Sequence, residues 1–231
     1  MRTKDRWLAA AAIAGLVAGA GDFIVTLVLG LFYPGFNHIR MVMSELGAPG
    51  SPVARWIGIW WVVFGVLFVV FALGLARAFG TETRSVVVGA TLIGVFGLGA
   101  GIGAGLFPMD AVGAEPTLAG QLHDILAGLG FTAIAFLALV SMAIFPRKEA
   151  PAKFWLSIVV FVLGLAFFGL FIAAEDAATG GLLAYAGLWQ RLFLLDQYAL
   201  IAVLAVTMLR MSRNARRGAG SQRDPSPGRR G

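Results

Sequence analysis

Several polar side chains in this chain lie inside or beside long apolar segments, and their types and positions make them candidates for chemistry. The segment 33–52, YPGFNHIRMVMSELGAPGSP, is the richest of these places and connects two apolar runs. It contains Asn37, His38, Arg40, Ser44 and Glu45 among prolines and glycines. A plain connector between two helices needs none of these side chains, so the segment is a candidate wall of a site.

Further ionisable residues occur within the other apolar runs or at their ends. They are Asp22, Asp110, His123, Asp124, Arg191 and Asp196. A charged side chain at the centre of a membrane helix costs roughly 2.5–3.5 kcal/mol on insertion scales. Such residues are therefore expected to face the protein interior or a water-filled cavity, where they are functional candidates.

These residue types support three kinds of function. Arg and His can bind a lipid phosphate while carboxylates meet a polar head group, which needs no catalysis. Alternatively, a lipid hydrolase or transferase can use His123 with Asp124 or Glu45 as acid and base, and Ser44 or a metal-bound water as nucleophile. A small transporter is the third hypothesis, with Asp22 and Asp196 as relay carboxylates.

Metal binding and acyl transfer both have weak sequence support. His38 and His123 are the only histidines, and no H-E-x-x-H or comparable spacing accompanies them. Ser44 lies outside any G-x-S-x-G elbow and suits a helix cap as well as a nucleophile. We therefore predict no metal and no cofactor, and the catalytic residues stay open among Ser44, Glu45, His123 and Asp124.

The composition predicts an all-α integral membrane protein. Of the 231 residues, 59% are hydrophobic and 13% are charged, with a mean hydropathy of +0.85. Soluble domains carry about 25% charged residues. The apolar runs are continuous, which excludes the alternating strands of a membrane β-barrel. With no cysteine, disulfides and thiol chemistry are excluded, and no basic patch of the kind that binds nucleic acid occurs.

Six transmembrane helices and a tail account for the whole sequence. The predicted spans are about 7–32, 56–76, 85–106, 121–145, 154–174 and 187–211, in a domain covering 1–211. The first run is too long for a signal-peptide core and is taken as a span. Residues 212–231 are rich in Arg, Gly, Ser and Pro and are predicted to be a disordered basic tail.

Charge distribution predicts the orientation. Fifteen of the eighteen Lys and Arg residues fall at the two termini and in the second and fourth connectors. By the positive-inside rule, both termini are cytoplasmic, and a multi-pass plasma-membrane location is expected. The costly polar residues then all lean toward the outer leaflet, on the side that carries 33–52.

Glycines in the third span are spaced for close helix packing. Gly97, Gly101 and Gly105 lie four residues apart, and Gly99 with Gly103 repeats the spacing on a neighbouring stripe. The stretch does not match a dinucleotide loop, because it follows no strand. It is predicted to be a packing helix, and a homo-oligomer through this helix is a further expectation.

The sequence resembles a known family of bacterial and archaeal membrane proteins. YPGFNHIRMVMSELGAPGSP, GLFPMD and QLHD are similar to the domain of unknown function 998 family, over the six-span layout and without the tail. The Ser44–Glu45–x–Gly47–x–Pro49 pattern is also distantly similar to DRAM-like membrane proteins, which are tied to lipid handling, GPI anchors or autophagy. The resemblance implies a fold and a site location but no reaction.

These observations predict an outer-leaflet polar pocket that binds a lipid head group or small amphiphile, with membrane lipids as partners and no nucleic acid. The predicted binding residues are Asp22, Asn37, His38, Arg40, Glu45, Asp110, His123, Arg191 and Asp196.

Overall fold

Six long apolar helices cross the molecule, as the composition predicts. The computed structural model describes residues 3–175 and 181–221. Within those ranges all regular structure is helical, and the fold is an all-α bundle. The helices long and apolar enough to span a membrane are Arg6–Gly30, Ala54–Phe79, Arg84–Leu106, Leu118–Ile144, Pro151–Ala174 and Ala186–Asn214, here called the first to sixth spans.

Two of these spans are built from more than one helical segment. The helices in chain order are α1 Thr3–Gly30, α2 Ala54–Phe79, α3 Arg84–Phe96, α4 Ala104–Leu106, α5 Leu118–Ala135, α6 Leu137–Ile144, α7 Pro151–Glu175 and α8 Ala186–Ser221. A π-helix, Gly97–Gly103, joins α3 to α4, and 3-10 turns occur at Met43–Gly47 and Gly181–Ala184.

The first span lies against the second and the sixth, and the fifth lies against the sixth. The π-helix packs between the second and fourth spans and so closes the other side of the bundle. The connectors 31–53 and 107–117 lie at one end, here called the loop end, together with the described residues 181–185 that precede the sixth span. An even number of spans returns the chain to the side on which it began.

Glycines decide how closely the third span approaches its neighbours. A Cβ added to Gly97 or Gly101 would meet the backbone of Gly65 in the second span. A Cβ on Gly99 would meet the backbone of Leu126 in the fourth span. The two predicted stripes therefore face two different helices of the same chain, and the homo-oligomer stays a prediction.

Aromatic rings fill the centre of the bundle. Phe64, Phe68 and Phe96 are almost fully buried and meet edge to face, with ring centroids 4.8–5.6 Å apart. Tyr198 of the sixth span joins them from the opposite side, 6.0 Å from Phe68. This rigid apolar layer supports the polar groups that lie toward the loop end.

The observed helix bounds differ from the predicted ones mainly at the sixth span. There α8 continues to Ser221, into the segment predicted to be a disordered tail. Arg and Ala, which are frequent in 212–221, are good helix formers, so the helix can outlast the apolar run. The rest of the predicted tail, 222–231, lies outside the described residues.

Candidate binding site

The polar loop 33–52 folds back onto the end of the bundle. Gly35 and Gly50 allow its two sharp turns with φ of 83° and 90°, values that side chains disfavour. Between them, Met43, Leu46 and Gly47 of the 3-10 turn are buried. The loop therefore forms a fixed wall, and its apolar side chains hold it there.

Arg191 of the sixth span attaches the loop to the bundle. Its Nη1 donates hydrogen bonds to the carbonyl oxygens of Met41, at 3.0 Å, and Gly187, at 2.9 Å. Its Nη2 donates to His38 Nδ1 at 3.2 Å. The guanidinium thus binds the protein's own loop, which is a different role from the predicted ligand contact.

Backbone hydrogen bonds strengthen the same attachment. The Leu188 amide donates to the Ile39 carbonyl at 2.8 Å, and the Met43 amide donates to Gln190 Oε1 at 2.6 Å. Loop and sixth span are therefore joined at several points, and they position side chains at the loop end as one unit.

The ionisable loop residues respond to this packing. Partial burial lowers the pKa of His38, and the nearby charge of Arg191 lowers it further. This favours the neutral ring, whose Nδ1 can accept from Arg191. Burial raises the pKa of Glu45, opposed by the hydrogen bond that its Oε1 accepts from the Val42 amide at 2.9 Å. Both side chains hold the loop in shape.

A cavity opens sideways between the fourth and fifth spans. It has a volume of about 290 Å³, and we call it the lateral cavity. Its polar lining comes from Ser44, His123, Asp124 and Gln190 near the loop end, with Thr132 deeper along the fourth span. Its apolar lining consists mainly of Met109, Ala127, Phe131, Phe168, Phe171 and Ile172. Asp124 and Ile172 are exposed on the outside of the bundle, so the opening faces the surface that lipid contacts.

A smaller cavity lies deeper in the bundle, and we call it the inner chamber. Its volume is about 30 Å³, and Asp22 lies in its wall. The Asp22 carboxylate is 3% exposed and accepts hydrogen bonds from Tyr198 Oη at 2.9 Å and Trp60 Nε1 at 3.4 Å. Five aromatic rings also line it, those of Trp61, Phe64, Phe96, Phe131 and Tyr198.

The two cavities are neighbours. Ser44, Ala127, Phe131 and Gln190 line both of them. The loop residue Ser44 and the span residue Gln190 therefore stand at the passage between lateral cavity and inner chamber.

Hydrogen-bonding groups remain open at this passage. Gln190 is 2% exposed, and its Oε1 is used by Met43 while its Nε2 has no hydrogen-bond partner among the described residues. His123 is 3% exposed and donates from Nδ1 to the Phe107 carbonyl at 2.8 Å. Nε2 of the same ring has no hydrogen-bond partner among the described residues. Buried polar groups are usually paired, so open ones beside a cavity are suited to a ligand.

Other predicted site residues lie away from the cavities. Asp110 binds Thr117, through its hydroxyl at 2.7 Å and its amide at 2.8 Å, and these hydrogen bonds lower the pKa of Asp110. Asn37 Oδ1 accepts from the loop amides of Ile39 and Arg40. These interactions shape turns at the protein surface.

Arg40 and Asp196 also point elsewhere. The Arg40 guanidinium lies 5.7 Å from the centre of the Tyr185 ring, near the start of the sixth span. Asp196 accepts a hydrogen bond from Gln197 Nε2 at 3.1 Å and lies against Gly164 of the fifth span. Of the predicted binding residues, Asp22 and His123 line the cavities, and the catalytic candidates Ser44 and Asp124 line them as well.

The family model described as Protein of unknown function (DUF998) matches residues 16–207. The chain belongs to the DUF998 family. The match includes the loop, both cavities and nearly all of the six spans. No curated protein and no solved structure matches the chain.

Sequence reasoning missed two polar contributors to this DUF998 site. Gln190 is a buried amide one turn into a span, which is an available signal because polar side chains are rare there. Tyr198 gave no such signal, because a tyrosine in an apolar run is not distinguished from its neighbours by composition. Only the packing of the first span against the sixth shows that its hydroxyl meets Asp22.

Proposed function

We propose that this DUF998 protein binds the polar head group of a membrane amphiphile in the lateral cavity, from the leaflet at the loop end. The observation that carries the proposal is a lipid-facing opening that leads to unpaired polar groups on Gln190 and His123. Few side chains with open hydrogen-bonding groups occur in the apolar parts of a membrane bundle, since each is costly without a partner.

The cavity has a polar part and an apolar part, as an amphiphile has. Ser44, His123 and Asp124 lie where the cavity meets the loop end, and Phe168, Phe171 and Ile172 lie along its apolar wall. A volume of about 290 Å³ is near the lower end of small-molecule sites, which run from about 300 to 1,000 Å³. The cavity therefore suits a head group and the first part of a chain, with the remainder in lipid.

Binding is favoured over catalysis by the hydrogen bonds at the same place. A Ser–His hydrolase relies on a hydrogen bond between nucleophile and base. Between Ser44 and His123 the described residues form no such bond, and Nδ1 of His123 is engaged by a backbone carbonyl. Among the described residues there is also no cluster of three metal-ligating side chains.

The membrane setting of the proposal comes from the charges. Basic residues are concentrated at the end opposite the loops, and by the positive-inside rule this supports a cytoplasmic side there. The proposal therefore has the cavity open to the outer leaflet of the plasma membrane. The Ser44–Glu45–x–Gly47 likeness to DRAM-like proteins, which are tied to lipid handling, agrees with a lipid ligand.

A blocked cavity tests the proposal. A Cβ on Gly128, in the wall of the lateral cavity, meets no atom within 4 Å, so a side chain can start from Gly128 without a clash, and Gly128→Trp is expected to obstruct the opening. Gly169 of the fifth span has the same free space but lies outside the cavity, and Gly169→Trp is the matched control. Both variants are reconstituted with phospholipids that carry a photoreactive diazirine in the acyl chain.

Adducts are then mapped by peptide mass spectrometry. We expect the native protein and Gly169→Trp to show adducts concentrated in the segment around Phe168–Ile172, and Gly128→Trp to lose most of them. Equal labelling of this segment in a folded Gly128→Trp variant would refute the proposal.

A further inference from the structure

The charge of the two cavities is negative. Asp22 lines the inner chamber and Asp124 lines the lateral cavity, while the residues lining both include no Lys or Arg. The nearest guanidinium, that of Arg191, donates to two loop carbonyls and to His38. An anionic head group would therefore meet two carboxylates and no free cation, whereas a cationic group would be attracted.

No cation of the described residues touches the Asp22 carboxylate. Its hydrogen bonds come from the neutral donors Tyr198 and Trp60, and the charge of Arg191 acts on it only through space, while the guanidinium itself is bonded to the loop. A buried carboxylate without a cation in contact is expensive. A positively charged ligand group beside it would supply that contact.

The walls of the inner chamber fit the same ligand group. Trp61, Phe64, Phe96, Phe131 and Tyr198 line the chamber together with Asp22. Aromatic faces attract ammonium groups through the ring quadrupole, and the attraction is strongest at sites removed from water. Aromatic rings around one carboxylate form the kind of site that binds a protonated amine.

Size restricts the kind of amine. A water molecule needs roughly 10–15 Å³ of such space, so a chamber of about 30 Å³ accepts a group of the size of water or ammonium. A trimethylammonium group is several times larger. The chamber therefore suits a primary ammonium, with the remainder of the ligand passing Gln190 into the lateral cavity.

We propose that the inner chamber is a binding site for a primary ammonium group, which contacts Asp22 and the surrounding aromatic rings. The ligand is then an amphiphilic amine, either an aminolipid or a free long-chain amine, and this identification rests on the proposed function of the lateral cavity. In the case of an aminolipid, Nε2 of Gln190, a residue 2% exposed at the passage, donates to an oxygen of the ligand behind the ammonium.

The test uses the full chain purified in a neutral detergent and four defined probes. Binding of dodecylammonium, dodecyltrimethylammonium and dodecanol is measured by isothermal titration, and methylammonium is added as a competitor. We expect dodecylammonium to bind at least tenfold more tightly than either of the other dodecyl compounds. Equal affinities for dodecylammonium and dodecanol would overturn the ammonium site without any variant being needed.

Variants locate the site. Asp22→Asn keeps an acceptor for Tyr198 and removes the charge, and should weaken dodecylammonium binding at least tenfold while leaving dodecanol unchanged. The control, Asp196→Asn, removes another carboxylate within the spans. Asp196 lies outside both cavities, so this variant should change neither affinity. If a folded Asp22→Asn variant bound dodecylammonium as tightly as the native protein, the proposal would be wrong.

Failure of this proposal and failure of the proposed function give different results. If the lateral cavity binds amphiphiles but the chamber does not recognise ammonium, all three dodecyl compounds bind alike and Gly128→Trp removes all of them. If Gly128→Trp affects none, the proposed function fails, and with it the ammonium proposal. Excess methylammonium should compete with dodecylammonium, and a lack of competition would count against recognition of the ammonium group. Tighter binding of a phosphatidylethanolamine than of dodecylammonium would identify an aminolipid as the source of the group, and weaker binding would identify a free amine.

Discussion

Removing the Arg191 guanidinium should detach the loop 33–52 from the bundle. In an Arg191→Met variant the side chain keeps its apolar stem but loses three hydrogen bonds, to Met41 O, Gly187 O and His38 Nδ1. Hydrogen bonds to charged groups contribute about 1.5–3 kcal/mol each when buried. Arg191 is only partly buried, and its bond to the Gly187 carbonyl lies within the sixth span and does not attach the loop. We therefore expect Arg191→Met to reduce the free energy of loop attachment by about 3 kcal/mol.

That energy has a direct readout in amide hydrogen exchange. At about 1.4 kcal/mol for each factor of ten, 3 kcal/mol corresponds to roughly 100-fold faster local opening. The main reporter is the Met43 amide, which donates across the junction to Gln190 Oε1. The Leu188 amide is the second reporter, with a smaller expected change because it donates both to Ile39 O and to Tyr185 O. Exchange is followed by mass spectrometry in nanodiscs, where the spans themselves stay protected.

A second arginine at the loop end is the control. Arg55 is exposed, and its guanidinium lies 6.0 Å from the centre of the neighbouring Trp56 ring. Arg55→Met should leave exchange at both reporters within a factor of three of the native protein. If Arg191→Met also left them unchanged, the loop would be held by its apolar side chains alone, and the argument from hydrogen bonds would be refuted.

Three further predictions concern the loop end and the glycine contacts. Because the pKa of His38 lies below its ordinary 6.5 in the attached loop, the detached loop binds more protons in that interval. Acidification below about pH 6.5 should therefore weaken attachment, visible as faster Met43 amide exchange, and His38→Phe should remove this pH dependence. Gly97→Ala places a Cβ 2.8 Å from the Gly65 carbonyl oxygen and should lower the unfolding free energy by about 1–3 kcal/mol in a detergent titration, whereas Gly94→Ala, with open space, should not. Thr117→Val removes the hydroxyl that accepts from the Gly120 amide at 3.1 Å, and it should lower the free energy of unfolding by about 1 kcal/mol. An unchanged midpoint of thermal unfolding would contradict a capping role.

The number of spans and their helical nature were predictable, because the signal is strong and local. About twenty apolar residues must form a helix in lipid, and this holds for each run without knowledge of its neighbours. The alternating glycines of the third span were also readable as packing positions. Their partners, Gly65 and Leu126, were not, because spacing along one helix does not identify the helix that it contacts.

The candidate site was predictable only in outline. The energetic cost of polar side chains in a membrane singled out Asp22 and His123, which line the cavities. It singled out Asp110 and Asp196 equally, and these do not line them. A costly side chain needs a partner, and the sequence cannot distinguish a partner in the same turn, such as Thr117 for Asp110, from a place beside a cavity. Arg191 shows the same ambiguity, since its partners are loop carbonyls.

By itself, the sequence determined an all-α membrane protein of six spans, with its polar residues gathered toward one end, since hydropathy and residue cost are properties of single segments. Tertiary structure alone decided that Gln190 and Ser44 stand between two cavities and that Tyr198 meets Asp22. Those relations join residues more than a hundred positions apart, and they exist only because the loop, the first span and the sixth span pack together. Packing geometry, which no single segment encodes, is what turns costly residues into either structural bonds or an open site.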